Sequence, residues 1–139
     1  MRFYTFRQMN CYGGYETALE LGIGLNVIIE ADSPEAANEK ALQLGLGLDH
    51  GCSWCDRWES VDKYDGSVVP ATKDGTPIWA AINHWFNQGL PSFIHWANGT
   101  FTRVDHKVGE LNEPPAFERV PEGWMQIHRE IQRHKQGAA

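Results

Sequence analysis

Leu25-Asn26-Val27-Ile28-Ile29-Glu30-Ala31, followed by Asp32-Ser33-Pro34-Glu35-Ala36-Ala37, reads as a strand that passes directly into a helix. Leu25, Val27, Ile29 and Ala31 alternate with Asn26, Ile28 and Glu30, which makes one face apolar and the other mixed. Ser33 offers a side-chain oxygen to the first unpaired helical amides, and Pro34 suits the first helical position. Glu35 complements the positive end of the helix dipole. Ala37, Ala41 and Leu44 then recur at helical spacing before Gly45, so a helix is expected over 34–44.

Upstream, residues 2–9 are rich in aromatics and alternate as a first strand. Between the two strands, Gly13, Gly14, Gly22 and Gly24 surround a short Glu16–Leu21 segment, the pattern of a long hairpin connection. Downstream, Asp65-Gly66 and Asp74-Gly75 mark chain reversals. A second helix is expected at 77–88, capped by Thr76, opened by Pro77 and ended by Gly89 and Pro91. Ile78, Ile82, Trp85 and Phe86 form its stripe. Asn98-Gly99 joins two β-rich runs as a two-residue type I′ turn would. That register pairs Trp96 with Phe101, His95 with Thr102 and Phe93 with Val104.

Pro114, Pro115 and Pro121 make 107–121 an extended connector, and 122–135 reads as a C-terminal helix carrying Trp124, Ile127 and Ile131. Its narrow apolar stripe suits a contact with a second copy as well as one within the domain. The expected fold is a single α+β domain over 1–139. A mostly antiparallel sheet of about four strands, near 2–9, 24–31, 92–97 and 100–105, should pack against two to three helices.

A chain of 139 residues with 42% hydrophobic content can bury a substantial core in one domain. Its net charge of −6 argues against an extended nucleic-acid partner, whose grip depends on clustered lysine and arginine. No apolar run approaches the roughly 18 residues that span a bilayer, and the first residues lack a signal-peptide pattern. Three cysteines cannot close a disulfide framework, so a reducing cytoplasm is the simplest compartment.

The densest chemistry lies in His50-Gly51-Cys52-Ser53-Trp54-Cys55-Asp56-Arg57-Trp58. Cys52 and Cys55 have the spacing with which two thiolates grip one zinc ion from a tight turn. His50 would be a third ligand, and Cys11, His95 or His106 a fourth. A second half-site of the usual kind does not occur in the sequence. A redox dithiol and two cysteines packing as small hydrophobes therefore stand beside zinc as readings. Trp54, Arg57 and Trp58 are candidates for holding a small anionic or aromatic ligand by stacking and charge. The plainer alternatives are an Arg57 ion pair with Asp56, Glu59 or Asp62, and a tryptophan acting as a core anchor. No serine elbow, phosphate loop or His-Glu-x-x-His motif occurs, so an enzyme is the weaker reading.

The first strand, Leu25–Ala31, the Ser33-Pro34-Glu35-Ala36-Ala37-Asn38 helix start and Cys55-Asp56-Arg57-Trp58 together resemble a family of small, largely uncharacterised tailed-bacteriophage proteins. The likeness covers roughly the first 60 residues. It implies a non-catalytic phage accessory role: binding a host target as an anti-defence protein, by sequestering a small nucleotide signal or by blocking a host protein. The alternative is a small zinc-stabilised or thiol-dependent module acting on nucleic acid or redox partners.

Overall fold

Asn26–Ala31 forms β2, and all six of its residues are buried. Burial on both faces marks the centre of a sheet, and β2 is paired on each side. A computed structural model of the chain describes residues 1–9, 17–48, 57–83 and 90–108, with single helical positions at 129 and 133.

Arg2–Met9 is β1, which runs antiparallel to β2 from Arg2↔Ala31 to Arg7↔Asn26. Pro34–Gln43 is α1, opened by Ser33, whose Oγ accepts the Ala36 N–H at 3.1 Å. Ala37 and Ala41 face inward and are fully buried, and Gly45 closes the helix at φ +96. This part of the sequence behaves as its local signals require.

Arg57–Trp58 forms the short β3 on the outer side of β1, and Ile82–Asn83 forms β4. Ser92–His95 is β5, Phe101–Val104 is β6 and Lys107–Val108 is β7. The main sheet has five strands in the order β3-β1-β2-β5-β6, and β4 and β7 make a separate parallel pair. One core, containing Tyr4, Phe6, Val27, Ile29 and Trp58, lies on the α1 side. The other, containing Phe3, Ile28, Ile94, Trp96 and Val104, is closed by Ile78 and Trp79.

Three expectations need correction. The sheet is mixed, because β5 pairs parallel to β2, with Val27↔Phe93 through Ile29↔His95. The chain returns to β2 through a long connection that includes α1, and such a return brings the next strand in parallel. Among the described residues the fold is therefore mostly sheet with one α-helix, not a sheet packed against two to three helices.

The helix expected at 77–88 does not start. Ile78–Ala80 is a single 3-10 turn, Ala81 turns extended at ψ 132, and Ile82–Asn83 pairs with β7. Ile78 of the expected stripe is buried in the second core, while the side chains of Ile82, Trp85 and Phe86 lie outside the described residues. Residues 84–88 of that expectation lie outside the described residues.

The hairpin register slips by one. Phe93↔Arg103, Ile94↔Thr102 and His95↔Phe101 are the partners. The Trp96 N–H donates to the Thr100 carbonyl at 2.8 Å, and the Gly99 N–H to the Trp96 carbonyl at 3.0 Å. Ala97-Asn98-Gly99 is thus a three-residue loop, with Gly99 at φ +91. The one-residue slip puts each β6 side chain on the opposite face of the sheet, so Phe101 lies with His95, while Trp96 packs edge-on against Phe3.

Of the expected connector 107–121, residues 107–108 are β7 and the remainder lies outside the described residues. In the expected helix 122–135, positions 129 and 133 are helical, and the others lie outside. No helix among the described residues is long and apolar enough to cross a membrane.

Candidate functional site

The His50–Trp58 loop is mounted on the β3 rim of the sheet. Gln8↔Trp58 and Met9↔Arg57 are antiparallel partners, and Leu48 bridges Trp58 in parallel. The Trp58 N–H donates to the Gly47 carbonyl at 2.7 Å, and the Glu59 N–H to the Arg7 carbonyl at 2.9 Å. Beyond β3, the Asn38 side chain receives the Val61 N–H at 3.0 Å and donates to the Val61 carbonyl at 2.8 Å. Both ends of the loop are therefore held by backbone pairing, with α1 securing the chain that leaves it.

Of the three ligand candidates, Trp58 is the one whose side chain lies among the described residues. Trp58 is 1% exposed and packs in the α1-side core, so its ring faces are covered by neighbours. It is the core anchor among the readings weighed for it. Arg57 stands in β3 through its backbone, and Trp54, His50, Cys52 and Cys55 lie outside the described residues. Glu59, one of the acids considered for Arg57, forms an ion pair with Arg7 at 3.2 Å. Among the described residues no three His, Cys, Asp or Glu side chains are grouped to hold a metal.

His95 and His106, two of the candidate fourth ligands, are engaged elsewhere. His95 is 4% exposed, and its Nε2 lies 2.7 Å from the Gly22 carbonyl oxygen, with Phe101 beside the ring. A carbonyl only accepts, so this nitrogen carries the proton. Burial holds the His95 pKa below the ordinary histidine value; the Gly22 bond opposes that shift and the Lys40 charge reinforces it.

His106 belongs to a chain of polar groups that the sequence did not reveal. Asn26 Nδ2 donates to Ser92 Oγ at 3.1 Å, and Ser92 Oγ lies 2.6 Å from His106 Nε2. A backbone hydrogen bond with Ala81 orients the same imidazole. Burial lowers the His106 pKa against the raising effects of Ala81 and Asp105. A serine hydroxyl on a neutral imidazole is also the pairing of nucleophilic catalysis. Here Ser92 is 0% exposed, so no reacting atom can reach its oxygen, and the chain acts as a buried polar link between strands. Its members are 66 and 14 residues apart, and no local signal could have joined them.

Comparison with known proteins places the chain only by its family. No curated protein and no solved structure matches it. The model of a domain of unknown function, DUF7296, matches residues 1–114, which include every strand described above. The chain belongs to the DUF7296 family, a domain of unknown function.

Proposed function

We propose that this chain is a non-catalytic phage accessory protein that binds a host protein through the loop between Leu48 and Arg57. What supports the reading is the mounting of that loop, whose two ends are pinned by the Leu48–Trp58 bridge and the Met9↔Arg57 pair. Binding residues concentrate on loops held by a rigid scaffold. The net charge of −6 favours a basic partner surface over nucleic acid. The burial of Trp58 favours a protein target over a nucleotide stacked between two indoles. An anti-defence role by blocking a host protein is the form this activity takes, in the host cytoplasm.

The test is affinity capture from a bacterial lysate with the wild-type chain, Trp54→Ala and Arg57→Ala. A discrete partner lost from both variants supports the proposal, and the same proteins recovered with all three baits reject it. A thermal-shift screen against nucleotides runs alongside. Stabilisation by one nucleotide that disappears in Arg57→Ala would replace the protein target with a sequestered ligand.

A second reading is favoured by the strand register. We infer a zinc clip built from His50, Cys52, Cys55 and Cys11. Cys11 and Cys55 each stand two residues from the paired positions Met9 and Arg57, and His50 stands two from Leu48. The Met9↔Arg57 pair and the Leu48–Trp58 bridge bring the three described attachment points of these residues onto neighbouring strands. Of the candidate fourth ligands, Cys11 is the one that follows the paired position Met9 by two residues. Three thiolates and one imidazole suit a closed, structural zinc ion. Elemental analysis of the purified chain should find one zinc per chain. With cobalt in its place, Cys11→Ser should weaken the thiolate charge-transfer band by about a third. Absence of bound metal, or an unchanged band in Cys11→Ser, would count against the clip.

A further inference from the structure

The main sheet ends at β6. In the order β3-β1-β2-β5-β6 this strand has β5 on one side, and among the described residues no strand pairs with its other side. The Trp96 N–H donates to the Thr100 carbonyl at 2.8 Å, which makes 96 and 100 a hydrogen-bonded pair. Antiparallel partners alternate between bonded and non-bonded pairs, so Thr102 and Val104 turn their backbone groups toward Ile94 and Ser92. Phe101 and Arg103 turn theirs outward. Asp105 continues the alternation, and its carboxylate meets Arg103 Nε at 2.9 Å.

The side chains along this edge are open as well. Thr102 and Val104 are buried, whereas Phe101 is 43% exposed. The Arg103 and Asp105 side chains are 51% and 69% exposed. Phe101 packs edge-on against Phe93 and beside His95, and the remainder of its ring meets solvent. An open strand edge with an exposed aromatic is a template for a further strand. The charges on it select the occupant. Arg103 stands between an aromatic ring and a carboxylate, so the same edge running in the opposite direction can complement it.

Two copies related by a two-fold axis meet antiparallel, and outward residues must then face outward residues. Three registers satisfy this. Arg103 against Arg103 sets like charges directly opposite and is disfavoured. Arg103 against Asp105 leaves Phe101 beyond the overlap, at the level of β7, which is already paired with β4. Arg103 against Phe101 overlaps the whole of β6 and lays the guanidinium over the exposed ring, while Asp105 still neutralises it.

We propose that β6 pairs antiparallel with β6 of a second copy, about a two-fold axis at Thr102. Phe101 of each copy faces Arg103 of the other, and each such pair exchanges N–H to carbonyl bonds that the edge otherwise gives to water. The contact is small, so the dimer is weak and reversible. It joins two sheets into one whose outer rims are both β3, the strand at the opposite end of the order. The dimer therefore presents the segment that leads into β3 twice, and a partner with matching sites would be held by both copies.

Sedimentation velocity and hydrogen exchange on the full chain, from about 10 µM to about 500 µM, cover the range of such weak association. Sedimentation should shift toward a dimer as concentration rises. The Phe101 and Arg103 amides should gain protection in step, while Thr102 and Val104, facing β5, are protected throughout. Phe101→Glu sets a carboxylate against Arg103 of the second copy, and Phe101→Lys sets a like charge there. The Glu variant should dimerise about tenfold more tightly than the Lys variant. Net charge alone predicts the opposite order, because each chain already carries −6. A chain monomeric throughout, a dimer in which those two amides gain no protection, or the opposite order of the variants would overturn the proposal. Protection that appears only with a lysate protein would also overturn it, by giving the edge to that partner. If a variant does not fold, the wild-type exchange decides: protection that grows with concentration at Phe101 and Arg103 supports the pairing, and its absence refutes it.

Discussion

The backbone of Gly22 is in close contact with the imidazole of His95, whose Nε2 lies 2.7 Å from its carbonyl oxygen. A Cβ built on Gly22 would fall 2.8 Å from His95 Cε1 and 3.0 Å from Phe101 Cγ, while the glycine itself holds φ +76. Only glycine fits both the left-handed backbone and the ring behind it. Gly22→Ala should therefore cost about 2–4 kcal/mol, combining backbone strain with overpacking. Gly75 is the comparison: it has φ +90 with nothing within 4 Å of a built Cβ, so Gly75→Ala should cost only about 1 kcal/mol. Urea denaturation of both variants measures the difference, and equal midpoints would remove the role given to the ring contact.

Trp58 joins the loop to the core. Trp58→Ala should destabilise by about 3–5 kcal/mol through the lost burial and the cavity left behind. Trp58→Phe should retain much of that stability. Binding of the host partner should follow folding in these variants and not the presence of an indole. A Trp58→Phe chain that folds normally but no longer captures the partner would return Trp58 to the binding surface.

Asn38 satisfies both backbone groups of Val61 with one amide, at 2.8 and 3.0 Å. Asn38→Ala leaves both without that partner and should cost about 1–3 kcal/mol. Asn38→Asp keeps the acceptor for the Val61 N–H and loses the donor to its carbonyl, so it should fall between the two. Chemical denaturation ranks the three chains, and an Asn38→Ala chain as stable as wild type would show that the clamp contributes nothing.

Global stability should also depend on pH. His95 and His106 have folded-state pKa values lowered by burial, so the unfolded chain binds more protons than the folded one below 6.5. Their contribution is fully present above 6.5 and is lost as pH falls through the lowered values. Asp74 is held below its ordinary value of 3.8, first by the Thr72 side chain and then by the Thr76 backbone. It adds a separate loss in stronger acid. Denaturation midpoints should thus decline first across the histidine range and again below 3.8. Stability that is flat between pH 7.5 and 5, the range in which histidines usually titrate, would contradict the two neutral rings.

How much of this was legible in advance follows the range of the forces involved. Ser33, Pro34, Ala37, Ala41 and Gly45 act within a turn or two of helix, and their expected roles match α1. The antiparallel pairing of β1 and β2 was also legible, since each strand alternates and a glycine-rich link joins them. At Ile78 the apolar pattern was sound, but a short stripe does not separate a helix from a 3-10 turn followed by a strand. Pairing with Lys107–Val108, distant in sequence, decided it. At Asn98-Gly99 the turn residues were recognised, and one additional loop residue moved every side chain of β6 to the opposite face.

The sequence alone determined where the first helix begins and ends, which two strands form the first pair, and that thiols and aromatics are concentrated in residues 50–58. Those properties depend on backbone conformation and side-chain chemistry within a few residues. Only the tertiary structure decided that β5 lies parallel to β2, that Trp58 is a core residue, and that Asn26, Ser92 and His106 form one polar chain. Each of these requires segments far apart in sequence to meet, and the free energy of that meeting comes from burial shared among them.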